Sequence, residues 1–379
     1  MRLLVSFVGG LGHLAPLLPL ACAARDAGHV VAIAGSGGLM TQVEELGLTA
    51  FATSARPHHD QNPVTKVRGS LEVVGARAAE TEFAENFADR GARRMAAAMP
   101  DVLRTFRPDL VLRDETDLGT TIAAELVDVP IATHLVLASG LLLRPELVVP
   151  HLDAVREEHG LAPDPGLTRL ATGLVLSDAA PSFRSPDAPL RLAPMYYRSR
   201  AALRTDRRPA RRSSIYVTLG TIFNNASGDL LERLLAGLAG LDANVIATVG
   251  RGIDPADLGP QPDNVRVERF LPQDEVLRDV DLVVSHGGSG SLMATLAHGL
   301  PSILLPLGAD QPHNAMRAAA LGIAHTLDAT TVTAEEARAR ARAVNDDRLL
   351  QQRCATVADE VRALPGTAAA LAALVAAAS

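Results

Sequence analysis

A chain of 379 residues exceeds what one ordinary hydrophobic core supports and predicts about two domains. Its 47% hydrophobic content is that of a globular protein, and it has no apolar run of the roughly eighteen residues that a membrane helix needs. A net charge of −7 argues against nucleic acid as a partner, and 3% aromatic content with no Trp argues against a stacking platform for bases or sugars.

The N-terminus, Met1 to Val5, imitates a signal peptide only until Gly9, Gly10, Gly12 and His13 interrupt it. Strand then loop is the better reading. The first half alternates short strands and helices: a strand over Leu3–Phe7, a helix over Pro16–Ala27 closed by Gly28, and a strand over Val30–Ala34. Residues 56–69 are polar and predict a loop over the mouth of this half. The stretch Ser70–Met99 is rich in Ala, Glu and Arg and reads as a solvated helix pair. After the breaker Arg107-Pro108-Asp109 come a strand over Leu110–Leu112, a helix over Leu118–Leu126 and a strand over Val129–Thr133. This βαβ rhythm predicts a parallel, doubly wound sheet.

A dense arginine cluster with Pro209, between Arg198 and Arg212, reads as a solvated connector. The rhythm then restarts. Strands are expected over Ile215–Leu219, Val245–Val249, Val265–Phe270, Val280–Ser285 and Ser302–Pro306, with an amphipathic helix over Asp229–Leu241. The result is an α/β protein of two tandem doubly wound domains facing a cleft. The Ala-rich tail Ala368–Ala378 reads as a helix. Cys22 and Cys354 lie far apart in helix-like contexts and read as reduced and buried, which predicts a cytoplasmic protein; no Cys/His spacing suits zinc.

The most informative stretch is Ser285-His286-Gly287-Gly288-Ser289-Gly290-Ser291, set between an apolar strand and an apolar helix. The first turn of a helix leaves backbone N–H groups unpaired and carries partial positive charge. Three glycines permit close backbone approach, while Ser289, Ser291 and His286 add polar groups, so the stretch suits a phosphate. A plain strand-to-helix turn is the other reading. Near the front, Gly10-Leu11-Gly12-His13-Leu14-Ala15 matches the glycine pattern of dinucleotide-binding folds. That class also needs an acidic residue at the end of the second strand, and Ala34-Gly35-Ser36 supplies none. His13 instead sits where open α/β sheets place ligands, and imidazole suits a general base.

Phe270-Leu271-Pro272-Gln273, the His286 stretch, and Pro306-Leu307-Gly308-Ala309-Asp310-Gln311-Pro312-His313-Asn314 occur in that order. Together they resemble the donor half of the nucleotide-sugar glycosyltransferases that decorate natural products, a family with the two-domain GT-B fold of Rossmann-like domains. The resemblance covers essentially the whole chain. It implies an acceptor-binding domain at 1–198, an Arg-rich linker at 199–212, a donor-binding domain at 213–360, and a helix at 361–379 that packs back on the first domain. It implies that His13 deprotonates the acceptor hydroxyl with Asp114 supporting it; Glu115 and Asp117 compete for that role, and N-capping is the other reading of Asp117.

In the second domain the resemblance assigns Thr221 to a phosphate, Leu271 and Gln273 to the nucleoside, and His286, Gly288, Ser289, Gly290 and Ser291 to the diphosphate. It assigns Asp310 and Gln311 to the sugar. Plant relatives place a stacking Trp where this chain has Phe270, which leaves the stacking residue unassigned. The implied reaction moves a sugar, in the deoxysugar class, from a TDP- or UDP-sugar to a hydroxyl of a lipophilic small molecule, with inversion. No cofactor beyond the nucleotide sugar is expected, and no metal. A homodimer is left open. The rivals are another GT-B enzyme such as a lipid or cell-wall sugar transferase or an epimerase, a nicotinamide or flavin oxidoreductase, and a non-catalytic sugar-nucleotide binder.

Overall fold

The computed structural model describes residues 1–55, 69–199, 212–220, 227–250 and 252–378. The expected mouth loop at 56–68, the arginine cluster at 200–211 and Thr221 lie outside the described residues.

Two parallel sheets carry the chain. The first holds β1 (Arg2–Ser6), β2 (Val30–Gly35), β3 (Thr49–Ala52), β4 (Leu110–Asp114), β5 (Ile131–Leu135), β6 (Leu174–Ser177) and β7 (Met195–Tyr196), in the order β3-β2-β1-β4-β5-β6-β7. The second holds β8 (Ser213–Thr218), β9 (Ala243–Thr248), β10 (Val265–Glu268), β11 (Leu282–Ser285), β12 (Ser302–Leu304) and β13 (Ala324–Thr326), in the order β10-β9-β8-β11-β12-β13. In each sheet the strand order reverses beside the first strand. That reversal opens a crevice at the carboxyl ends of β1 and β4, and another at the ends of β8 and β11. Register aligns Ser6 with Arg113 in one crevice and Thr218 with Ser285 in the other.

The strands read as unbroken apolar runs because helices cover both faces. Leu3, Val5, Leu110 and Leu112 join one core, while Leu4 and Val111 point into another on the opposite face. The second sheet repeats this with Ile215, Val217, Leu282 and Val284 against Tyr216 and Val283.

The helix expected over Pro16–Ala27 is present over Leu18–Asp26, and a separate single turn at Leu11–Leu14 precedes it. The expected solvated helix pair over Ser70–Met99 is a different object. It is one helical rod, α-helical over Ala76–Phe83, wound as a π-helix over Ala84–Gly91, and α-helical again to Phe106. Phe83, Ala88, Ala92, Met95, Ala96, Met99, Leu103 and Phe106 are buried along one side. The Arg and Glu content of the stretch makes it look solvated by composition, yet small alanine side chains let the rod lie close to the sheet. Cys354 is buried, but Cys22 is only half-buried. The helix Thr367–Ala377 puts Ala370 and Leu374 into the first domain's core beside Leu17 and Leu20.

Candidate active site

His13 lies in the short turn after β1, and Asp114 is the last residue of β4, so the first crevice brings them together. His13 Nδ1 stands 3.3 Å from Asp114 Oδ2. Asp114 is fully buried and also accepts hydrogen bonds from Val8 N (3.2 Å), Thr116 Oγ1 (2.7 Å) and Thr116 N. Its neighbours are engaged elsewhere. Glu115 accepts from Val136 N and Leu137 N and pairs with Arg184 at 3.2 Å. Asp117 accepts from Thr120 N and Thr120 Oγ1 at the start of the helix Gly119–Val127.

Burial alone would lower the His13 pKa, but Asp114, Asp310 and Glu115 together outweigh it, and the pKa is raised. Two features near His13 are missing from the sequence reading. An added Cβ at Gly9, whose φ is +108°, would fall 2.6 Å from His13 Cδ2, so Gly9 makes room for the ring. Phe87, carried by the π-helical turn, packs on the imidazole at 5.2 Å between centroids and on Phe83 at 4.9 Å.

The second crevice holds the glycine stretch. The helix Ser289–Ala297 starts there, with Gly288 as its N-cap. His286 is buried, and desolvation pushes its pKa down to about 4, with Asp310 and the Thr218 backbone opposing weakly. It is therefore a neutral ring near pH 7. Added Cβ atoms at Gly220 and at Gly288 would each meet the imidazole at 2.7 Å, so the two glycines clasp it.

Asp310 Oδ2 accepts from Ser289 N (3.1 Å), Ser289 Oγ and Asn314 Nδ2 (2.8 Å). The carboxylate thus sits on the helix start. Gln311 is buried, and its carboxamide oxygen accepts from Leu307 N (2.8 Å) and Gly308 N (3.2 Å), pinning its own loop. Gln273 Nε2 donates to Ser291 Oγ at 2.7 Å, joining the Pro272 turn to the glycine stretch. Leu271 is half-buried against the core under β8 and β11. Phe270 is 48% exposed beyond the end of β10.

The two crevices face each other. Ala138 N, after β5, donates to Ser289 Oγ at 2.8 Å, and Ser139 N to Asn314 Oδ1 at 3.3 Å. Glu80 of the long rod lies 3.3 Å from His313 Nε2, and Val74 N donates to Leu307 O at 2.7 Å. Asp310, from the second domain, is close enough to His13 to act on its ionisation. Among the described residues, no group of three His, Cys, Asp or Glu is placed to hold a metal ion, and no helix is long and apolar enough to cross a membrane.

A family model described as erythromycin biosynthesis protein CIII-like, N-terminal domain, matches residues 22–220; its C-terminal counterpart matches residues 232–376. The chain belongs to this family. It is 29% identical to the L-demethylnoviosyl transferase of Streptomyces niveus over 332 residues, covering 85% of this chain and 84% of that one. The solved glycosyltransferase SnogD from Streptomyces nogalater is 28% identical, with a TM-score of 0.75 over 100% of this chain and 99% of that one. The spinosyn rhamnosyltransferase SpnG, solved with thymidine diphosphate, is 25% identical, with a TM-score of 0.77 over 99% and 100%. This chain is therefore an antibiotic-type glycosyltransferase with the GT-B fold.

Proposed function

We propose that this glycosyltransferase moves a sugar of the deoxysugar class from a TDP-sugar to a hydroxyl of a lipophilic small molecule, with inversion and without a metal. The observation that carries the reading is the apposition of two unlike crevices. One holds an imidazole backed by a buried carboxylate, His13 with Asp114 at 3.3 Å. The other holds a helix start beside a clasped, neutral His286.

In this reading His13 Nε2 takes the proton of the acceptor hydroxyl. The freed oxygen pair forms the bond to the anomeric carbon from the face opposite the phosphate. The anomeric carbon–phosphate oxygen bond breaks, and its pair leaves with the nucleoside diphosphate. Negative charge then grows where the helix Ser289–Ala297 offers its unpaired N–H groups. His286, being neutral, contributes through hydrogen bonding rather than as a cation. Asp310 and Gln311 border the sugar, Leu271 and Gln273 the nucleoside, and Leu137, Leu142 and Phe87 the apolar side of the acceptor. Preference for TDP over UDP is supported by SpnG, which was solved with thymidine diphosphate.

A thermal-shift series tests the donor. TDP should stabilise the protein by about 2.7 kcal/mol at roughly a hundred times its dissociation constant, UDP less, and NAD(P) not at all. A shift with NAD(P)H and none with any nucleoside diphosphate would remove the reading and return the front glycine loop to a dinucleotide.

A further inference from the structure

The hydroxyl of Thr116 lies between the two members of the His13–Asp114 pair. It is 2.7 Å from Asp114 Oδ1 and 3.0 Å from His13 Nδ1, closer to the ring than Asp114 Oδ2 is at 3.3 Å. Thr116 is fully buried, two residues past the end of β4, and its backbone N–H turns back onto the same carboxylate. A hydroxyl has one proton to give. Both Asp114 oxygens already accept backbone N–H groups, Oδ1 from Thr116 and Oδ2 from Val8, so the carboxylate acts as an acceptor. The Thr116 proton therefore goes to Asp114 Oδ1, and the hydroxyl can meet His13 Nδ1 only by accepting from it.

We infer that Thr116 is a positioning residue that shares the His13 Nδ1 proton with Asp114 and so holds the ring in the Nδ1–H tautomer, with Nε2 unprotonated toward the acceptor. The neutral ring left to itself has both tautomers open to it. Here Nδ1–H has two acceptors on one edge, and both remain in place when the ring becomes an imidazolium. The ring need not turn as it takes the acceptor proton. Thr116 also fixes the angle at which Asp114 is presented, because its N–H and its hydroxyl both grip Oδ1.

The inference rests on His13 being the base, and its test is separable from that reading. Nitrogen NMR of ring-labelled protein, at a pH above the His13 pKa, should find Nδ1 protonated and Nε2 bare. An Nε2–H ring in the parent would overturn the inference, whatever His13 does in catalysis. Thr116→Val keeps the shape and removes the hydroxyl, whereas Thr116→Ser keeps the hydroxyl. Thr116→Val should lose roughly three- to tenfold in kcat, the worth of one hydrogen bond, with KM for the nucleotide sugar unchanged. Thr116→Ser should stay within about twofold of the parent, the residual being its missing methyl. TDP stabilisation of both variants checks their folding. Parental kcat in Thr116→Val, or an equal loss in a TDP-binding Thr116→Ser, contradicts the role.

Discussion

His13 carries two opposed effects, and their balance sets a measurable pH. Desolvation favours the neutral ring; Asp114, Asp310 and Glu115 favour the charged one and prevail, so the folded pKa exceeds the ordinary value of about 6.5. A base must be neutral to accept a proton. Turnover should therefore rise with pH through a limb above about 6.5, and kcat/KM measured against pH checks this. The same raised pKa contributes stability that is fully present below about 6.5 and is lost as pH rises through the folded value. Asp114→Asn should bring the limb down. It should also destabilise, because both oxygens of Asp114 face N–H groups and the new amide must point its own N–H at one of them, at a cost of about 1–3 kcal/mol. A limb that stays put in a folded Asp114→Asn protein would separate the pair.

Much of the first crevice was readable from residue type and position: a His in a glycine loop after one strand, an Asp at the end of another. The resemblance pointed to Asp114 with Glu115 and Asp117 as competitors, and the structure shows the other two engaged with Leu137 N, Arg184 and Thr120. Thr116 was not readable in this way. A threonine two residues beyond a strand-end acid is ordinary turn chemistry until the ring is seen beside it.

At the scale of the element, the helix Ser289–Ala297 separates a glycine packed against the protein from one that faces open space. At Gly288 an added Cβ would strike His286 Nε2 at 2.7 Å, whereas at Gly290, exposed on the first turn, it would meet nothing within 4 Å. Alanine is the better helix former by up to about 1 kcal/mol. Gly290→Ala should therefore keep or raise thermal stability, yet weaken TDP binding, because the methyl stands where the diphosphate approaches the backbone. Gly288→Ala should displace the His286 ring and lower both. Calorimetric titration of TDP against the two proteins, with melting curves alongside, reads the contrast. Undiminished TDP affinity in Gly290→Ala would move the phosphates off this helix start.

The long rod Ala76–Phe106 is the element that sequence reading mistook. Its buried face alternates alanines with Phe83, Met95, Met99, Leu103 and Phe106, and alanine counts for little in a hydrophobic pattern while packing very closely. The π-helical turn within it leaves no composition signal either. Its consequence is local: it sets Phe87 against His13. Such turns inside α-helices tend to occur at functional sites.

For the whole molecule, the βαβ rhythm carried the architecture, because parallel strands buried on both faces are plain in any sequence. What lay beyond reach was the contact between the two halves, which depends on pairs far apart in the chain. Ala138 meets Ser289, Glu80 meets His313, Arg317 binds the carbonyls of Ser182 and Phe183, and the last helix returns to the first core. These contacts bring the crevice of His13 and Asp114 to the crevice where the helix Ser289–Ala297 starts, and the proposed function divides the labour between them. The first domain should handle the acceptor proton, and the second should hold the nucleotide.

Sugar transfer and TDP binding measured together on purified His13→Ala test that division most directly. Turnover should fall by roughly 10²- to 10⁴-fold, the usual contribution of a general base, while TDP affinity stays within about twofold of the parent. Near-parental turnover, or loss of TDP binding along with turnover, would contradict it.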